Sequence, residues 1–298
     1  MFRGHLLIRL TALVALVVGS VVGAVLPAPA ETPTIVLEQV DRRGWGPDRT
    51  DLLFVLVIGT DFRPGVDGHR ADAIHLVGID PVRKAGTILN IPRDTYVGIP
   101  GHGANKINSA NTFGGAPLMA ATVAGLTGIH PHFVVSTDFG GFSGMVDELG
   151  GVTVDVPMRM ADSASGAFFE PGPFHMDAFA ALAFSRNRHV SGGDFTRSAN
   201  QAHLIIAGLA KLRAEGTNPA SVVRYLGVLM RRAQVVGIDV PELFRLGRLA
   251  LSIDPGAMRN ITMPGAIGAA GAASVVHPAA PAAEIFADMA DNATLEQF

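Results

Sequence analysis

The sequence predicts an α/β fold built around a mixed or parallel central sheet. Short apolar runs of strand length alternate with longer segments of helical pattern from residue 52 onward. The run Leu52–Ile58 (LLFVLVI) is continuously apolar and ends at Gly59, which is typical of a strand buried on both faces. At 298 residues the chain is long enough to bury a sizeable core.

The remaining strands are predicted wherever a short apolar run lies between turn residues. Asp80-Pro81 and Lys84–Gly86, for example, separate the first runs that follow Leu52–Ile58. The predicted strands are Leu52–Ile58, Ala73–Ile79, Thr87–Ile91, Phe133–Ser136, Val152–Val156, Ile261–Met263 and Ser274–Val276. The Gly-rich segment 98–104 is predicted to be a mobile loop, and the Ala/Gly/Pro-rich stretch 264–283 a loose loop.

Helices are predicted where apolar residues recur at helical spacing. Gly128 ends the first helix and Gly150-Gly151 ends the second, because glycine adopts the left-handed conformation that closes a helix. The predicted helices cover residues 116–126, 140–148, 177–185, 195–214, 220–234, 240–251 and the tail after Pro281.

The amino terminus has the pattern of an export signal. Arg3 and Arg9 precede an uncharged apolar run over residues 10–26, and Ala28 and Ala30 supply an Ala-x-Ala end. The same pattern is typical of an uncleaved single-pass anchor with its positive charge inside. We therefore expect a signal peptide or membrane anchor in residues 1–30, a linker in 31–50 and an extracytoplasmic domain in 51–298. The alternative is secretion after cleavage near Ala30.

Composition excludes several function classes. The absence of cysteine excludes thiolate zinc sites, iron–sulfur clusters, CxxC redox chemistry and a cysteine nucleophile. The net charge of −3 argues against a nucleic-acid binder, which usually shows a strong basic excess. Only 16% of residues are charged, so the positions of the charges are informative.

Charged residues cluster near the ends of the predicted strands. In an open α/β sheet, ligands bind outside the carboxyl ends of the strands. Arginines interleaved with carboxylates there favour a phosphate together with a divalent cation, because Mg²⁺ takes oxygen ligands from carboxylates and phosphates. The alternative for each residue is a surface salt bridge. The clustered residues are Asp61, Arg63, Arg70, Asp72, Arg93, Asp94, Lys106, Arg186, Arg188, Asp194, Arg197 and Gln201.

Eight short motifs then resemble, in order and spacing, those of the LytR-CpsA-Psr (LCP) family. The resemblance covers residues 52–214 most clearly and rests on the number of motifs rather than on any one of them. The motifs are Gly59–Arg63 (GTDFR), Arg70–Asp72 (RAD), Ile91–Tyr96 (IPRDTY), Lys106–Ala110 (KINSA), Leu126–Ile129 (LTGI), Val146–Val152 (VDELGGV), Ser185–Arg188 (SRNR) and Gly193–Arg197 (GDFTR).

The resemblance implies a three-layer α/β/α sandwich with a central mixed β-sheet, preceded by an amino-terminal hydrophobic helix. It also implies an enzyme that moves a glycopolymer from a polyprenyl-pyrophosphate carrier to a hydroxyl of peptidoglycan at the membrane, with Mg²⁺ or Mn²⁺ as cofactor. Teichoic acid, capsule and arabinogalactan are all possible cargoes. The alternatives are a polyprenyl-pyrophosphate hydrolase and a non-catalytic cell-wall polymer-binding protein.

The same resemblance assigns expected roles to individual residues. Asp61 and Asp72 match the metal-binding carboxylates of the family. Its pyrophosphate-binding arginines are matched by Arg70, Arg93, Arg186 and Arg188, and its later polar positions by Asp194, Arg197 and Gln201.

Two candidates for the base and one departure complete the prediction. An acceptor hydroxyl needs a base, and both Asp61 and Asp94 are candidates. Where the family commonly has a second arginine three residues after Arg197, this chain has Asn200. One cationic contact is therefore missing, which favours altered substrate geometry or reduced activity and makes the binding-protein alternative more plausible.

Overall fold

The computed structural model describes residues 35–42, 51–61 and 69–296. The predicted export segment at residues 1–30, most of the predicted linker and Arg63 lie outside these ranges. Within the described part of the chain, none of the helices combines the length and the hydropathy needed to cross a bilayer.

A mixed seven-stranded sheet forms the centre of the fold. Its strands in chain order are β1 (Ile35–Gln39), β2 (Leu53–Thr60), β3 (Ala71–Asp80), β4 (Ala85–Asn90), β7 (Phe133–Thr137), β12 (Ala233–Val236) and β13 (Met258–Thr262). Their spatial order is β12-β1-β7-β2-β3-β4-β13. The β12–β1, β7–β2 and β4–β13 pairs are parallel, whereas β1–β7, β2–β3 and β3–β4 are antiparallel. The predicted mixed sheet is therefore confirmed.

Helices cover both faces of this sheet, which gives the expected three layers. The helices are α1 (Ser109–Thr127), α2 (Phe139–Glu148), α3 (Ala178–Arg186), α4 (Asp194–Ala214), α5 (Pro219–Met230), α6 (Val240–Ser252) and α7 (Pro281–Asn292). Helices α1 and α7 pack on one face of the sheet, and α4, α5 and α6 pack on the other.

Strand β2 shows why its sequence is continuously apolar. Phe54, Leu56 and Ile58 face the layer of α1 and α7, whereas Leu53 and Val55 pack toward α5 and α6 on the opposite face. Because successive side chains of a strand point to opposite faces, a strand covered on both sides needs apolar residues at every position.

Eight short strands form four antiparallel pairs outside the central sheet. The pairs are β5 (Tyr96–Ile99) with β6 (Gly103–Lys106), β9 (Met160–Asp162) with β10 (Ala167–Phe169), β8 (Val152–Val156) with β11 (Gly172–Met176), and β14 (Gly265–Ala270) with β15 (Ala273–Pro278). The mobile loop predicted at 98–104 and the loose loop predicted at 264–283 are therefore wrong, since hairpins occupy both. At Gly265 a side chain would meet Val276 at 2.6 Å, so the low-complexity composition here reflects close strand packing.

Two predicted boundaries are also corrected. The linker predicted at 31–50 contains β1, whose Ile35 is 1% exposed, so the folded domain begins before residue 51. The helix predicted at 220–234 ends at Met230, and Ala233–Val236 instead pair with β1 as an edge strand. Gly128 ends α1 in the left-handed conformation, with φ of 75°, as predicted.

Candidate active site

The main cavity lies beside the ends of β2, β3 and β7 and has a volume of about 340 Å³. Helices α2, α3 and α4 and the end of β9 complete its wall. Its deeper lining is apolar and includes Val57, Phe139, Phe142, Leu182 and Ile205. Its polar lining contains predicted site residues, namely Asp72, Arg186, Arg188, Arg197 and Gln201. An apolar compartment therefore adjoins a cluster of guanidinium groups.

A β-bulge presents Asp72 to this cavity. Gly59 pairs with Ala73 and the next residue, Thr60, pairs with Ala71, so Asp72 is the extra residue on β3. A bulge bends its strand and re-aims the side chain of the inserted residue. The carboxylate of Asp72 consequently lies among the arginines.

Arg93 is fixed by Asp72. The Nη1 atom of Arg93 donates a hydrogen bond to Oδ1 of Asp72, and the two side chains are 22% and 20% exposed. Burial alone lowers the pKa of Arg93, but the hydrogen bond and negative charge of Asp72 outweigh burial and raise it above its usual value. Arg93 thus carries a permanent charge at a fixed place, while its buried Nε has no hydrogen-bond partner in the described chain.

Arg197, in the first turns of α4, is buried with only 3% of its side chain exposed. It donates through Nη2 to the backbone oxygen of Asp72 at 3.1 Å and pairs with Oδ1 of Asp194 at 2.7 Å. Burial lowers the pKa of Arg197 to about 10, and repulsion from Arg188 and Arg93 acts in the same direction against the attraction of Asp194. The guanidinium of Arg197 is still charged at neutral pH, and the two cations that repel it, Arg188 and Arg93, belong to the same site.

A second cavity of about 270 Å³ lies against Arg93. Arg70, Asp94 and Lys106 line it, and Nζ of Lys106 pairs with Oδ1 of Asp94 at 2.8 Å. The Nε atom of Arg93 is 4.0 Å from Oδ2 of Asp94. The Arg93–Asp72 pair therefore connects the two cavities.

Charges of alternating sign form one continuous line across the site. Asp194 also forms an ion pair with Arg188, with 3.7 Å between Nε of Arg188 and Oδ1 of Asp194. In order, the line is Arg188, Asp194, Arg197, Asp72, Arg93, Asp94 and Lys106. The carboxylates hold four cations close together that would otherwise repel one another.

Arg186 and Gln201 lie beside this line. Arg186 ends α3, and its guanidinium lies over the ring of Phe139 at 5.5 Å, a cation–π contact that aligns it with the cavity wall. Gln201 donates to the backbone oxygen of Ser185 at 3.1 Å, and its buried Oε1 has no hydrogen-bond partner among the described residues.

A buried polar chain forms the floor of the cavity. His75 is 2% exposed, and its Nδ1 lies 2.7 Å from Oδ1 of Asn90. The amide of Asn90 in turn donates to Asn260 at 2.7 Å and to Thr262 at 3.2 Å. Burial lowers the pKa of His75 to about 4 despite the hydrogen bond that its Nδ1 donates to Asn90, so the imidazole is neutral at physiological pH.

Asp61 and Asp72 fit a divalent cation in part. Asp61 follows β2 directly, its backbone nitrogen donates to the oxygen of Arg70 at 3.4 Å, and its buried Oδ1 has no hydrogen-bond partner in the ranges the structure describes. A buried carboxylate oxygen without a donor suits a cation. Within the same ranges, no group of three or more acidic or histidine side chains is arranged to hold a metal. Two carboxylates plus substrate phosphates match the ligand set that Mg²⁺ usually takes.

The match to known proteins decides the family. The model of the LytR_cpsA_psr family matches residues 29–290. This chain belongs to the LytR-CpsA-Psr family.

Curated LytR-CpsA-Psr relatives carry two kinds of name. "Regulatory protein MsrR" of Staphylococcus aureus strain COL is 32% identical over 207 residues, which cover 68% of this chain and 62% of MsrR. "Polyisoprenyl-teichoic acid–peptidoglycan teichoic acid transferase TagU" of Oceanobacillus iheyensis is 34% identical over 219 residues, 71% of this chain and 66% of that protein. The chain spans less than two thirds of the length of MsrR.

Solved structures share the fold. B. subtilis TagV has a TM-score of 0.68 and 25% identity, covering 82% of this chain and 97% of TagV. An enzyme of this family from Actinomyces oris has a TM-score of 0.62 and 26% identity, covering 79% of this chain and 88% of the Actinomyces chain. YwtF (TagT), solved with bound octaprenyl pyrophosphate lipid, has a TM-score of 0.65 and 22% identity, covering 86% of this chain and 95% of YwtF. At this identity the likeness supports the fold alone.

Most of the LytR-CpsA-Psr positions predicted from the sequence meet at this site. Asp72, Arg186, Arg188, Arg197 and Gln201 line the main cavity. The second cavity collects Arg70, Arg93, Asp94 and Lys106, and Asp194 links Arg188 with Arg197. Asp61 follows the lining residue Thr60 directly.

Asn200 departs from the family's usual arginine and does not line the cavity. It is 1% exposed, and neither amide atom has a hydrogen-bond partner in the part of the chain that the structure describes. Sequence reasoning missed other polar lining residues, among them Asp162 and His189. His189 directly follows the Ser185–Arg188 motif, and that adjacency was the only signal in the sequence that pointed to it.

Proposed function

We propose that this protein transfers a glycopolymer from a polyprenyl-pyrophosphate carrier to a hydroxyl of peptidoglycan, assisted by Mg²⁺, at the outer face of the membrane. One observation carries the proposal: an apolar cavity opens onto a line of arginines and aspartates. A lipid pyrophosphate has two parts that complement this arrangement: an apolar chain that suits the cavity and a compact dianionic head that suits the arginines. The name of TagU, a relative 34% identical to this chain, describes transfer of teichoic acid from a polyisoprenyl carrier to peptidoglycan.

Each part of the site has a role in this proposal. The apolar lining, including Phe142, Leu182 and Ile205, takes the first isoprene units of the carrier. Arg186 and Arg188 at the polar end, with Arg93 between the two cavities, hold the pyrophosphate oxygens. Asp61 and Asp72 would hold Mg²⁺, which supplies further positive charge against the phosphates.

The reaction breaks the phosphoanhydride bond. The acceptor oxygen forms a bond to the phosphorus that carries the polymer, and the electron pair of the broken bond leaves with polyprenyl phosphate. Negative charge therefore grows on the departing phosphate, where guanidinium groups fixed before the reaction stabilise it without reorganisation. The Arg93–Asp72 and Arg197–Asp194 pairs provide this fixed geometry.

A ligation assay tests the proposal. The full-length protein in detergent is incubated with a labelled lipid-pyrophosphate glycan, Mg²⁺ and peptidoglycan, and label is followed into polymer and into water. We expect label in the polymer, and a more than tenfold loss of turnover in Arg186→Ala, equivalent to more than about 1.4 kcal/mol of transition-state stabilisation. Arg83→Ala, which removes a guanidinium remote from both cavities, is the matched control and should retain turnover.

Two results would refute the transferase. Release of label only to water would make the protein a hydrolase. Binding of the lipid without turnover, unchanged in Arg93→Ala, would make it a non-catalytic binding protein.

A further inference from the structure

Asp162 and His189 form a hydrogen-bonded pair in the wall of the main cavity. Asp162 ends β9, and His189 follows the end of α3, so two separate elements bring them together. The Nδ1 atom of His189 lies 2.8 Å from Oδ1 of Asp162. The carboxylate is 6% exposed and the imidazole 68%, so the acid is embedded and the base is open to an incoming substrate.

Asp162 is held in place and kept ionised. Its carboxylate accepts from Oγ of Ser165 at 2.6 Å, from the backbone nitrogen of Ser165 at 3.2 Å and from that of Ala164 at 3.0 Å. These hydrogen bonds, that of the Ser165 hydroxyl above all, lower the pKa of Asp162 to about 2. An ionised carboxylate only accepts, so Nδ1 of His189 must donate, and the lone pair of the neutral ring is on Nε2.

The backbone of His189 is fixed as well. Its nitrogen donates at 2.9 Å to Oδ1 of Asn187, a side chain with no exposed surface. Arg186 and Arg188, which precede it in the same segment, line the same cavity. The imidazole is therefore positioned beside the arginines that the proposed function gives to the pyrophosphate.

Of the two carboxylates first considered as the base, one is ion-paired and the other suits the cation. Asp94 is in an ion pair with Lys106 at 2.8 Å and lies 4.0 Å from Arg93. Asp61 has the free buried oxygen that suits the cation. Among the residues that the structure describes, none forms a hydrogen bond or ion pair with Nε2 of His189. An imidazole is the side chain best matched to proton transfer near neutral pH.

We propose that His189, oriented by Asp162, is the general base that activates the acceptor hydroxyl; this inference rests on the proposed function. The proton of the hydroxyl passes to Nε2 as the oxygen bonds to the phosphorus of the polymer phosphate. The phosphoanhydride electron pair leaves with polyprenyl phosphate. The imidazolium, facing ionised Asp162, then releases the proton to water.

The charged groups in the wall around His189 come from several elements. They are Asp72 on β3, Asp138 before α2, Asp162 on β9, Arg186 and Arg188 on its own segment, and Arg197 on α4. Of these, Asp162 is the one whose charged atoms contact the imidazole.

The test compares His189→Asn with the wild type, using the full-length protein and the ligation assay. An asparagine amide can donate to Asp162 in place of Nδ1 but cannot take a proton. We expect binding of the lipid pyrophosphate to be unchanged and turnover to fall by about 10²–10⁴-fold. The pH–rate profile of the wild type should show an acid limb that the variant lacks. Asp162→Asn, which removes the negative charge that faces the imidazole, should lower turnover less than His189→Asn.

His175→Asn is the matched control, because it removes another exposed imidazole that lies on β11 outside the cavity. It should keep the wild-type rate and pH profile. If the wild type ligates polymer and His189→Asn does so at the same rate with the same acid limb, the base assignment is overturned and the transferase stands. If the wild type does not ligate polymer, both fail.

Discussion

The buried imidazole of His75 makes the stability of the fold depend on pH in a way that one substitution should remove. The pKa of His75 is about 4 in the folded protein and 6.5 in the unfolded chain. As pH falls below 6.5, the unfolded chain binds a proton that the folded protein refuses, so the free energy of unfolding decreases until pH 4. The two pKa values give a loss of about 2 kcal/mol between pH 7 and pH 5 and of about 3 kcal/mol by pH 4.

Urea unfolding at pH 7, 6 and 5 measures this loss. Other groups also titrate, so the informative quantity is the difference between wild type and His75→Asn. Asparagine can reach Asn90 from the position of Nδ1, but it does not titrate. We expect the variant to be less stable at pH 7, because it leaves a small cavity, and its deficit to shrink by about 2 kcal/mol at pH 5.

The control is His130→Asn, which removes an exposed imidazole and should give the pH dependence of the wild type. If the curves of His75→Asn and the wild type run parallel from pH 7 to pH 5, the imidazole is not held neutral by burial, and the reasoning about the cavity floor is wrong.

Two further predictions concern the apolar parts of the molecule. Leu182→Trp places an indole in the cavity of about 340 Å³ and should weaken binding of a lipid pyrophosphate more than tenfold by calorimetry, equivalent to more than about 1.4 kcal/mol, whereas Leu182→Met should bind normally. Equal affinities would place the lipid elsewhere. Leu56→Ala empties a position with no exposed surface and should cost about 2–5 kcal/mol of unfolding free energy in urea, whereas Val82→Ala, at 64% exposure, should change it by less than about 0.5 kcal/mol. A small loss at Leu56 would contradict the two-sided burial of β2.

The strands that could be predicted are those whose burial leaves a strong pattern. Strand β2 lies in the middle of a sheet covered on both faces, so almost every residue is apolar, and β3 and β4 beside it carry shorter apolar runs. Strand β1 is central too, but its IVLEQ sequence is short and ends in polar residues, and its neighbours in space are distant in the chain. The sequence predicts a helix that runs on into strand β12, because the apolar residues of β12 continue the apolar pattern of α5.

The candidate site divides in the same way. Asp72, Arg93 and Arg197 could be found because each is a charged residue near a strand end or helix start in a chain with few charges. Nothing local marks Asp162, which sits on a three-residue strand and gains its meaning only from contact with His189. The bulge that inserts Asp72 is equally invisible in sequence, because it depends on the partner residues of β2.

The polar chain from His75 through Asn90 to Asn260 and Thr262 also specifies the register in which the last strand joins the sheet. Strand β13 pairs with β4, and Asn90 and Asn260 lie 170 residues apart in the chain, so this parallel edge closes a very long loop. A slip of one residue would turn Asn260 and Thr262 to the other face and strand the buried amide of Asn90. The amide of Asn260 also donates to the backbone oxygen of Ala199 in α4, the helix that carries Arg197. One hydrogen bond thereby ties the last strand of the central sheet to the helix that places Arg197 beside the cavity.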